Sequence, residues 1–417
     1  MKKLLLFCVL ATLAFGSTSS FAQDEQTFVT EASAANNFGV GGRAVGMSEA
    51  VIVSVKDGTA IVYNPAALTK IKRPEFYLAM SHEKFRNEST GPGGGGSFAE
   101  NDVTKTRFSS MNLTVPVPTY RGALVVAFGV NRTKSFDRTF TYEIDDFDLY
   151  SSGFEEETGG IREYAAAGAI ELSAKISAGA TLIYYHGGED YFWNYNESTV
   201  SSAFEYVDNI EDSYSGVGAR LGMLVEMSPS VSAAITIDAP TKYRIEQNYI
   251  LRTIENGSEE STVGYYEYDL SHPFIFNAGL AFRSRTFLIE GNLGYADWSQ
   301  MEYDGDVFFD EDNIALQNSY KEAVNVRIGA EAILPQYGLV LRAGFKHDPL
   351  PMSDFFPSNQ VEKDRNSFSL GLSYLIDRIA MLDIGFARAS YEITDENLSL
   401  SQKYTSAKLM ASIAYRI

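Results

Sequence analysis

The chain has 417 residues with 54 acidic and 34 basic side chains, and its formal net charge is −20. This acidity argues against binding to nucleic acid, because a phosphate backbone requires a basic surface. The 45% hydrophobic content also argues against a disordered polyelectrolyte. The single cysteine, Cys8, and four scattered histidines provide neither a disulfide framework nor paired metal-ligand spacing, so no metal and no cofactor are expected.

The first 22 residues have the pattern of a secretory signal peptide. Lys2 and Lys3 precede an apolar stretch over residues 4–15, and Ser20-Phe21-Ala22 provides a cleavage site flanked by small residues. We therefore expect the mature chain to begin near Gln23. After that point no apolar run approaches the roughly 18 residues of a helical membrane span. The mature protein is then either a secreted soluble β-protein or a transmembrane β-barrel.

Alternation of apolar and polar residues with a period of two recurs along the chain and predicts β-strands. In Thr405 to Ile417, one parity carries Leu409, Ile413 and Tyr415, while the other carries Lys408 and other polar or small residues. Fourteen such segments of roughly ten or more residues are found, a length that crosses a membrane at a steep tilt. They lie near residues 73–85, 105–116, 120–134, 161–173, 176–188, 214–227, 230–242, 272–283, 286–298, 320–333, 338–347, 365–376, 379–389 and 405–417.

Short and long connections alternate between these candidate strands. Short turns lie near residues 174–175, 228–229 and 284–285, whereas residues 135–160, 189–213 and 243–271 are predicted as long loops, of which the first two are strongly acidic. Short turns on one rim and long loops on the other are typical of outer-membrane barrels. We predict an all-β protein whose residues 73–417 form an antiparallel transmembrane barrel of about fourteen strands in the bacterial outer membrane. A secreted β-sandwich or propeller is the alternative, and no fixed-period repeat supports a propeller.

Residues 23–72 do not have the pattern of a strand pair. They are rich in small residues and contain an Asn-Pro turn starter. About fifty residues precede the predicted barrel, and their apolar side chains become buried if this segment enters the barrel lumen. We therefore predict that this segment plugs the barrel.

Three motifs resemble the FadL/TodX family of outer-membrane transporters for hydrophobic compounds. The first runs from Gly42-Arg43-Ala44 through Gly46-Met47 and Ala50 to Asn64-Pro65-Ala66-Ala67-Leu68 and is similar to the family's N-terminal hatch. The second, at residues 294–299, is similar to the family's Tyr-x-x-Trp-Ser strand end. The third begins at Arg342 and continues through Pro349, Pro351 and Phe356-Pro357. The chain departs from the family pattern in ending at Ile417 rather than Phe and in having Asn-Pro-Ala-Ala for Asn-Pro-Ala-Gly.

The resemblance implies passive uptake of small hydrophobic molecules such as long-chain fatty acids or aromatic hydrocarbons, without a cofactor. It implies a gate in the hatch and a lateral exit beside a kinked third strand, where Gly129 is the candidate kink. The implied partners are the hydrophobic ligand and the surrounding lipid and lipopolysaccharide, and a monomer is expected. The hatch and gate residues carried over are Gly42, Arg43, Gly46, Asn64, Pro65 and Ala66. A related barrel serving a type IX-like secretion system and a general porin remain alternatives.

Two sets of residues are candidates for binding a ligand. The predicted loop 189–213 carries aromatic residues that would collect apolar molecules, or that instead pack on neighbouring loops or form the membrane girdle. They are Phe192, Trp193, Tyr195, Phe204 and Tyr206. A fatty-acid carboxylate requires a basic partner, and Arg327, Arg342 and Lys346 have inward parity. Pairing of these bases with lumen acids is the alternative.

No enzymatic activity is predicted. The chain lacks a Gly-x-Ser-x-Gly nucleophile elbow, and the glycine run at residues 93–96 is not followed by Lys-Ser/Thr. A barrel lipase remains an alternative, because a His–Ser pair meets only in space.

Overall fold

The computed structural model describes residues 39–91, 98–146, 149–306, 310–353, 359–377, 379–395 and 400–417. The predicted signal peptide, residues 23–38 and the Phe356-Pro357 motif lie outside the described residues. In the described part of the chain, none of the helices has the length and apolar character needed to cross a membrane.

Strands account for most of the described chain. They are β1 (Glu75–Thr90), β2 (Phe98–Val117), β3 (Leu124–Arg132), β4 (Arg138–Asp146), β5 (Leu149–Ser173), β6 (Ile176–Thr199), β7 (Ala203–Glu226), β8 (Val231–Asp238), β9 (Thr241–Glu255), β10 (Ser258–His272), β11 (Ile275–Arg283), β12 (Phe287–Asp297), β13 (Glu302–Asp304), β14 (Glu322–Leu334), β15 (Leu339–Asp348), β16 (Asn359–Ile376), β17 (Ala380–Asp395) and β18 (Leu400–Arg416). The helices are α1 (Gly42–Val45), α2 (Ala60–Tyr63) and α3 (Asp310–Ser319), with 3₁₀ turns at Pro65–Lys70, Trp298–Gln300 and Pro335–Tyr337.

The sheet closes on itself, because β1 pairs with β2 on one edge and with β18 on the other. β3 and β4 both pair with β5, and β8 and β9 both pair with β7, so each couple forms one interrupted barrel strand. The same holds for β10 with β11 and for β12 with β13. Two of the interruptions contain a proline, Pro240 or Pro273, which has no N–H for the ladder. The barrel therefore has fourteen antiparallel strands, and the predicted fold class is confirmed.

The barrel wall exposes apolar side chains and buries polar ones. In β16, Phe368 and Leu370 are exposed on the outer face, whereas Ser369 and Ser373 between or beside them are buried. In β18, Leu409 is exposed and Met410 is buried, which matches the predicted parity. An apolar outer face beside a polar interior fits lipid outside and a filled lumen inside.

The prediction of long loops at residues 135–160, 189–213 and 243–271 was wrong. These residues mostly continue β5, β6, β7, β9 and β10 and add β4, so that β6 and β7 reach 24 residues each. About 9–11 residues suffice to cross the apolar part of a membrane. The extensions form a sheet beyond the membrane, which we call the outer wall. The apolar-out pattern is lost there because water, not lipid, covers the outer face, although backbone pairing continues.

Candidate functional site

Residues 39–72, called the N-terminal segment below, lie inside the barrel. Their hydrogen-bond partners belong to β1, β6, β12, β14, β16 and β18, so the segment is held around the whole circumference. Apolar side chains such as Met47, Ile52 and Leu68 are fully buried against the wall. The segment therefore fills the lumen at the level of the apolar belt.

A buried ion network connects the segment to the wall. The Nε atom of Arg43 donates to Glu331 Oε1 at 2.8 Å, and its Nη2 atom donates to Ser54 Oγ at 2.8 Å. The same Glu331 oxygen accepts from Arg342 Nε at 2.8 Å, and Arg342 Nη1 lies 3.1 Å from Asp383 Oδ1. Because these charges are buried, each depends on its partner to offset lost hydration.

A second buried carboxylate holds the segment through its backbone. Glu290 of β12 accepts from the backbone N–H of Val53 at 2.8 Å and of Ser54 at 3.0 Å. The segment's backbone donors are thus satisfied by the barrel wall rather than by a helix or sheet of their own. Removing this carboxylate would leave two buried N–H groups without an acceptor.

The predicted hatch residues explain how the segment fits so closely. A Cβ atom at Gly42 would lie 2.7 Å from the Asp383 carbonyl oxygen, so a side chain has no room there. Asn64 Oδ1 accepts from the N–H of Ala66 at 3.0 Å and caps the 3₁₀ turn that begins at Pro65. These contacts give the motif a packing role, and its gating role stays a prediction.

A second apolar cluster closes the lumen toward the outer wall. It combines aromatic side chains of β6, β7, β9 and β10 with residues of α3 and of the connection after β15. Its larger members include Phe136, Tyr185, Tyr214, Tyr243, Tyr268, Trp298, Tyr303, Leu316, Tyr320, Leu350, Met352 and Tyr404. The lumen is therefore stoppered by this cluster on one side and by the N-terminal segment on the other.

Between the two stoppers lies a cavity of about 150 Å³, called the lumen cavity below. Its floor includes Tyr63 of the segment, and its wall includes Tyr243, His272 and Trp298. The ring of His272 meets those of Tyr243 and Trp298 edge to face, with centroids 4.9 Å and 5.5 Å away. A second cavity of about 110 Å³ adjoins it across Glu49.

Of the three predicted lumen bases, two are neutralised by acids. Arg342 belongs to the network of Glu331 and Asp383. Lys346 Nζ lies 3.1 Å from Asp348 Oδ2 and 3.6 Å from Glu49 Oε1. Burial alone would raise the pKa of Glu49, but Lys346 and Arg327 outweigh it and lower that pKa below its ordinary value. Glu49 therefore remains ionised as a counter-ion of Lys346.

Two other lumen cations make no ion pair with a carboxylate in the described part of the chain. Arg327 donates only a long hydrogen bond, 3.5 Å, to Asn277 Oδ1, and its buried Nε has no acceptor. Lys134 Nζ lies 5.9 Å from the centre of the Tyr243 ring, and burial lowers its pKa to about 7 in spite of Glu163 and Asp238 nearby. Both side chains line the lumen cavity. The sequence predicted Arg327 but not Lys134.

The predicted aromatic residues lie on β6 and β7 rather than on a loop. Trp193 and Tyr195 are buried in a cluster with Phe140 and Tyr142 of β4, and Trp193 stacks on Phe140. Phe204 and Tyr206 pack partly buried against the same cluster, and Phe192 contacts Phe154 with ring centroids 6.0 Å apart. Trp193 and Tyr195 are therefore buried, as in the alternative in which these aromatic residues pack on neighbouring segments. Their collecting role stays a prediction.

The backbone ladder between β2 and β3 ends early and leaves a seam. Gly129 is paired on both sides without a register shift, whereas pairing with β2 stops at Asn131 and the chain leaves β3 after Arg132. A Cβ atom at Gly129 would lie 1.7 Å from Asn112 Oδ1, so this glycine admits the Asn112 side chain. The departure from the sheet therefore begins at Thr133, and not at Gly129.

Above this point, the described residues of β2 and of the chain after β3 are bridged across the seam by side chains. Arg107 pairs with Asp137, and Asn101 Nδ2 donates to Thr139 Oγ1 at 2.7 Å. Burial would raise the pKa of Asp137, but Arg107 and Arg132 lower it below its ordinary value, so the bridge stays ionised. On the lipid-facing side an apolar groove of about 760 Å³ runs beside the seam, lined by Leu113, Phe128, Tyr164 and Leu182 among others.

Comparison with known proteins identifies one family and one fold. The family described as outer membrane protein transport protein (OMPP1/FadL/TodX) matches residues 18–412. No curated protein matches the chain. Among the described residues, no group of three or more His, Cys, Asp or Glu side chains is placed to hold a metal ion.

Several solved structures share the fold at low sequence identity. A FadL homologue from Pseudomonas aeruginosa has a TM-score of 0.63 and 12% identity, covering 91% of this chain and 99% of its own. The toluene transporter TodX from P. putida has a TM-score of 0.62 and 12% identity, covering 92% and 99%. The monoaromatic hydrocarbon channel CymD has a TM-score of 0.59 and 15% identity, covering 91% and 98%.

Proposed function

The chain belongs to the OMPP1/FadL/TodX family of outer-membrane transport proteins, and from that premise we propose that it is a passive uptake channel that favours single-ring aromatic compounds. Family and fold support an outer-membrane channel for hydrophobic compounds. The observation that carries the finer proposal is the lumen cavity between the two stoppers. The solved structures of a toluene transporter and of a monoaromatic hydrocarbon channel share the fold.

The size and lining of the lumen cavity favour one ring. Its volume is about 150 Å³, close to that of an engineered cavity of about 150 Å³ that binds benzene. Ring faces and edges of Tyr243, His272 and Trp298 line it, and aromatic contacts of this kind stabilise a bound ring. A long-chain fatty acid, the second candidate, requires the N-terminal segment to move before its chain fits.

Two exits are available to a molecule in the lumen. One passes the N-terminal segment, which is held by the Arg43–Glu331 pair and by Glu290. The other passes the seam, where side chains replace the backbone ladder and an apolar groove faces lipid. We favour the seam for an apolar ligand, because that path keeps the molecule out of water until it reaches the membrane.

The uptake of toluene tests the proposed function. We expect proteoliposomes containing the full-length mature protein to take up radiolabelled toluene at least several-fold faster than protein-free liposomes, with palmitate slower and a monosaccharide excluded. Passage of the monosaccharide without selectivity would instead indicate a general porin. Uptake of neither toluene nor palmitate above the protein-free rate would contradict the transport role and favour a role in secretion.

Closing the seam tests the lateral exit. We expect a short thiol-reactive cross-link between Cys residues at Arg107→Cys and Asp137→Cys to reduce toluene uptake by about tenfold, because the ligand then loses its path to lipid. The measurement is the uptake rate before and after cross-linking, with each single variant treated in the same way as control. An uptake rate that stays at the single-variant level after complete cross-linking would refute exit through this seam.

A further inference from the structure

We propose that the lumen cavity is a binding site for a single-ring aromatic acid, whose ring packs on the cavity's aromatic wall while Lys134 and Arg327 bind its carboxylate. This inference rests on the proposed function and narrows the ligand class. A neutral hydrocarbon would use the rings alone and would leave Arg327 Nε without an acceptor and both cations without an ion pair in the described part of the chain. The distinction is therefore between an apolar ring and a ring that carries an anionic group.

The first support is a set of buried polar atoms that face the cavity without a hydrogen-bond partner. They are Thr133 Oγ1, Asn325 Oδ1 and Arg327 Nε. Buried polar groups in folded proteins are almost always hydrogen-bonded, and exceptions next to a cavity indicate a missing polar ligand or water. Two of these atoms, the Thr133 hydroxyl and the Arg327 Nε–H, are able to donate a hydrogen bond to a carboxylate.

The second support is the division of charge around the lumen. Arg220 is held by Glu163 and Asp238, and Lys346 is held by Asp348 and Glu49. The remaining cavity cations, Lys134 and Arg327, make no ion pair in the described part of the chain. Lys134 is 8% exposed, and Glu163 and Asp238 act on it without making an ion pair. A buried ammonium group without an ion pair favours either loss of its proton or an anionic ligand.

The third support is that Lys134 and the aromatic rings of the cavity wall lie next to each other. Lys134 Nζ stands over the Tyr243 ring, and Tyr243 contacts His272, which contacts Trp298. A planar aromatic acid places its carboxylate at one end of its ring, so it matches an aromatic wall with a cation at its edge. The volume of about 150 Å³ admits a single ring and its substituent more readily than an acyl chain.

The two tryptophans of the chain allow binding to be measured directly. Trp298 lines the cavity and Trp193 lies in the separate cluster with β4. In a Trp193→Phe background, Trp298 is the sole tryptophan of the mature protein, and its fluorescence reports occupancy of the cavity. The probes are benzoate, toluene and cyclohexanecarboxylate. At about pH 6 the carboxylates are ionised and Lys134 is largely protonated.

We expect benzoate to quench Trp298 and Lys134→Met to weaken benzoate binding roughly 10- to 100-fold, because a charge-assisted hydrogen bond is lost. Toluene binding should change less than threefold, and cyclohexanecarboxylate should bind more weakly than benzoate. Lys134→Arg should restore most of the benzoate affinity, and Arg327→Gln should weaken it. Lys408→Met is the matched control, since Lys408 lines the second cavity and its side chain is only 12% exposed.

The outcomes separate this inference from the proposed function. Equal benzoate affinity in Lys134→Met, Lys408→Met and the parent, all with the heat-modifiable mobility of a folded barrel, would overturn the aromatic-acid site even if toluene is transported. Loss of benzoate binding in Lys134→Met together with no transport of toluene would support the site and overturn the hydrocarbon channel. Failure of benzoate to quench Trp298 at millimolar concentration would also overturn the inference, because the cavity would then hold only water.

Discussion

Disulfides that tie the N-terminal segment to the barrel wall are expected to abolish uptake. Ser48 Oγ of the segment lies 2.8 Å from Ser369 Oγ of β16, and Thr69 Oγ1 lies 2.9 Å from Ser177 Oγ of β6. Cysteine is close to serine in shape, and a disulfide needs its sulfur atoms about 2.05 Å apart. We expect the doubly locked protein to lose more than about 90% of toluene uptake, because the lumen cavity, which is lined by Tyr63 of the segment and by Thr133 at the seam, then cannot open toward the seam.

The two locks also show which part of the segment moves. Each lock alone, Ser48→Cys with Ser369→Cys or Thr69→Cys with Ser177→Cys, is measured before and after reduction with dithiothreitol, with the four single variants as controls. The lock on the moving side should block uptake, and reduction should restore it. Full uptake by the doubly locked protein with confirmed disulfides would show that the segment is a fixed plug and that the ligand reaches the seam without movement of the segment.

The sequence predicts the barrel wall well, because lipid enforces a strict alternation. All fourteen predicted membrane strands correspond to barrel strands, and bases such as Arg327 and Arg342 face inward as predicted. The outer wall was missed because water replaces lipid on its outer face, so the apolar-out pattern that identified the membrane strands stops where the membrane stops. Its apolar side chains, such as Trp193 and Tyr195, are on the inner face instead, and backbone pairing leaves no period-two signal of its own.

The candidate site was predicted only in part, because partners across the lumen depend on register. Nothing in the sequence states that Arg342 and Arg43 meet at Glu331, or that Lys346 meets Glu49, until the segment is seated in the barrel. Lys134 was placed in the predicted strand 120–134. Its parity there would point it to lipid, where a lysine is costly. A lysine that faces lipid is unfavourable, and this indicates that the strand ends before Lys134. In the structure it ends at Arg132.

Breaking the Arg43–Glu331 pair should open the barrel to small hydrophilic solutes. Arg43→Met removes the segment's ion pair but leaves Glu331 paired with Arg342, so the wall network survives. We expect a folded barrel whose conductance in planar bilayers rises at least several-fold over that of the parent. Glu331→Gln should lower the free energy of unfolding by about 3–5 kcal/mol. The buried Arg43 guanidinium then loses its only carboxylate within ion-pair distance among the described residues.

Comparing the conductance and the thermal stability of Arg43→Met and Glu331→Gln distinguishes anchoring of the segment from general damage to the barrel. If Arg43 acts through the segment, Arg43→Met raises conductance while the temperature of the heat-modifiability transition stays near that of the parent, and Arg43→Lys gives an intermediate conductance. Glu331→Gln should lower that temperature as well, since it also withdraws a partner from Arg342. Parent-level conductance in Arg43→Met would mean that Glu290 and the remaining wall contacts hold the segment without the ion pair.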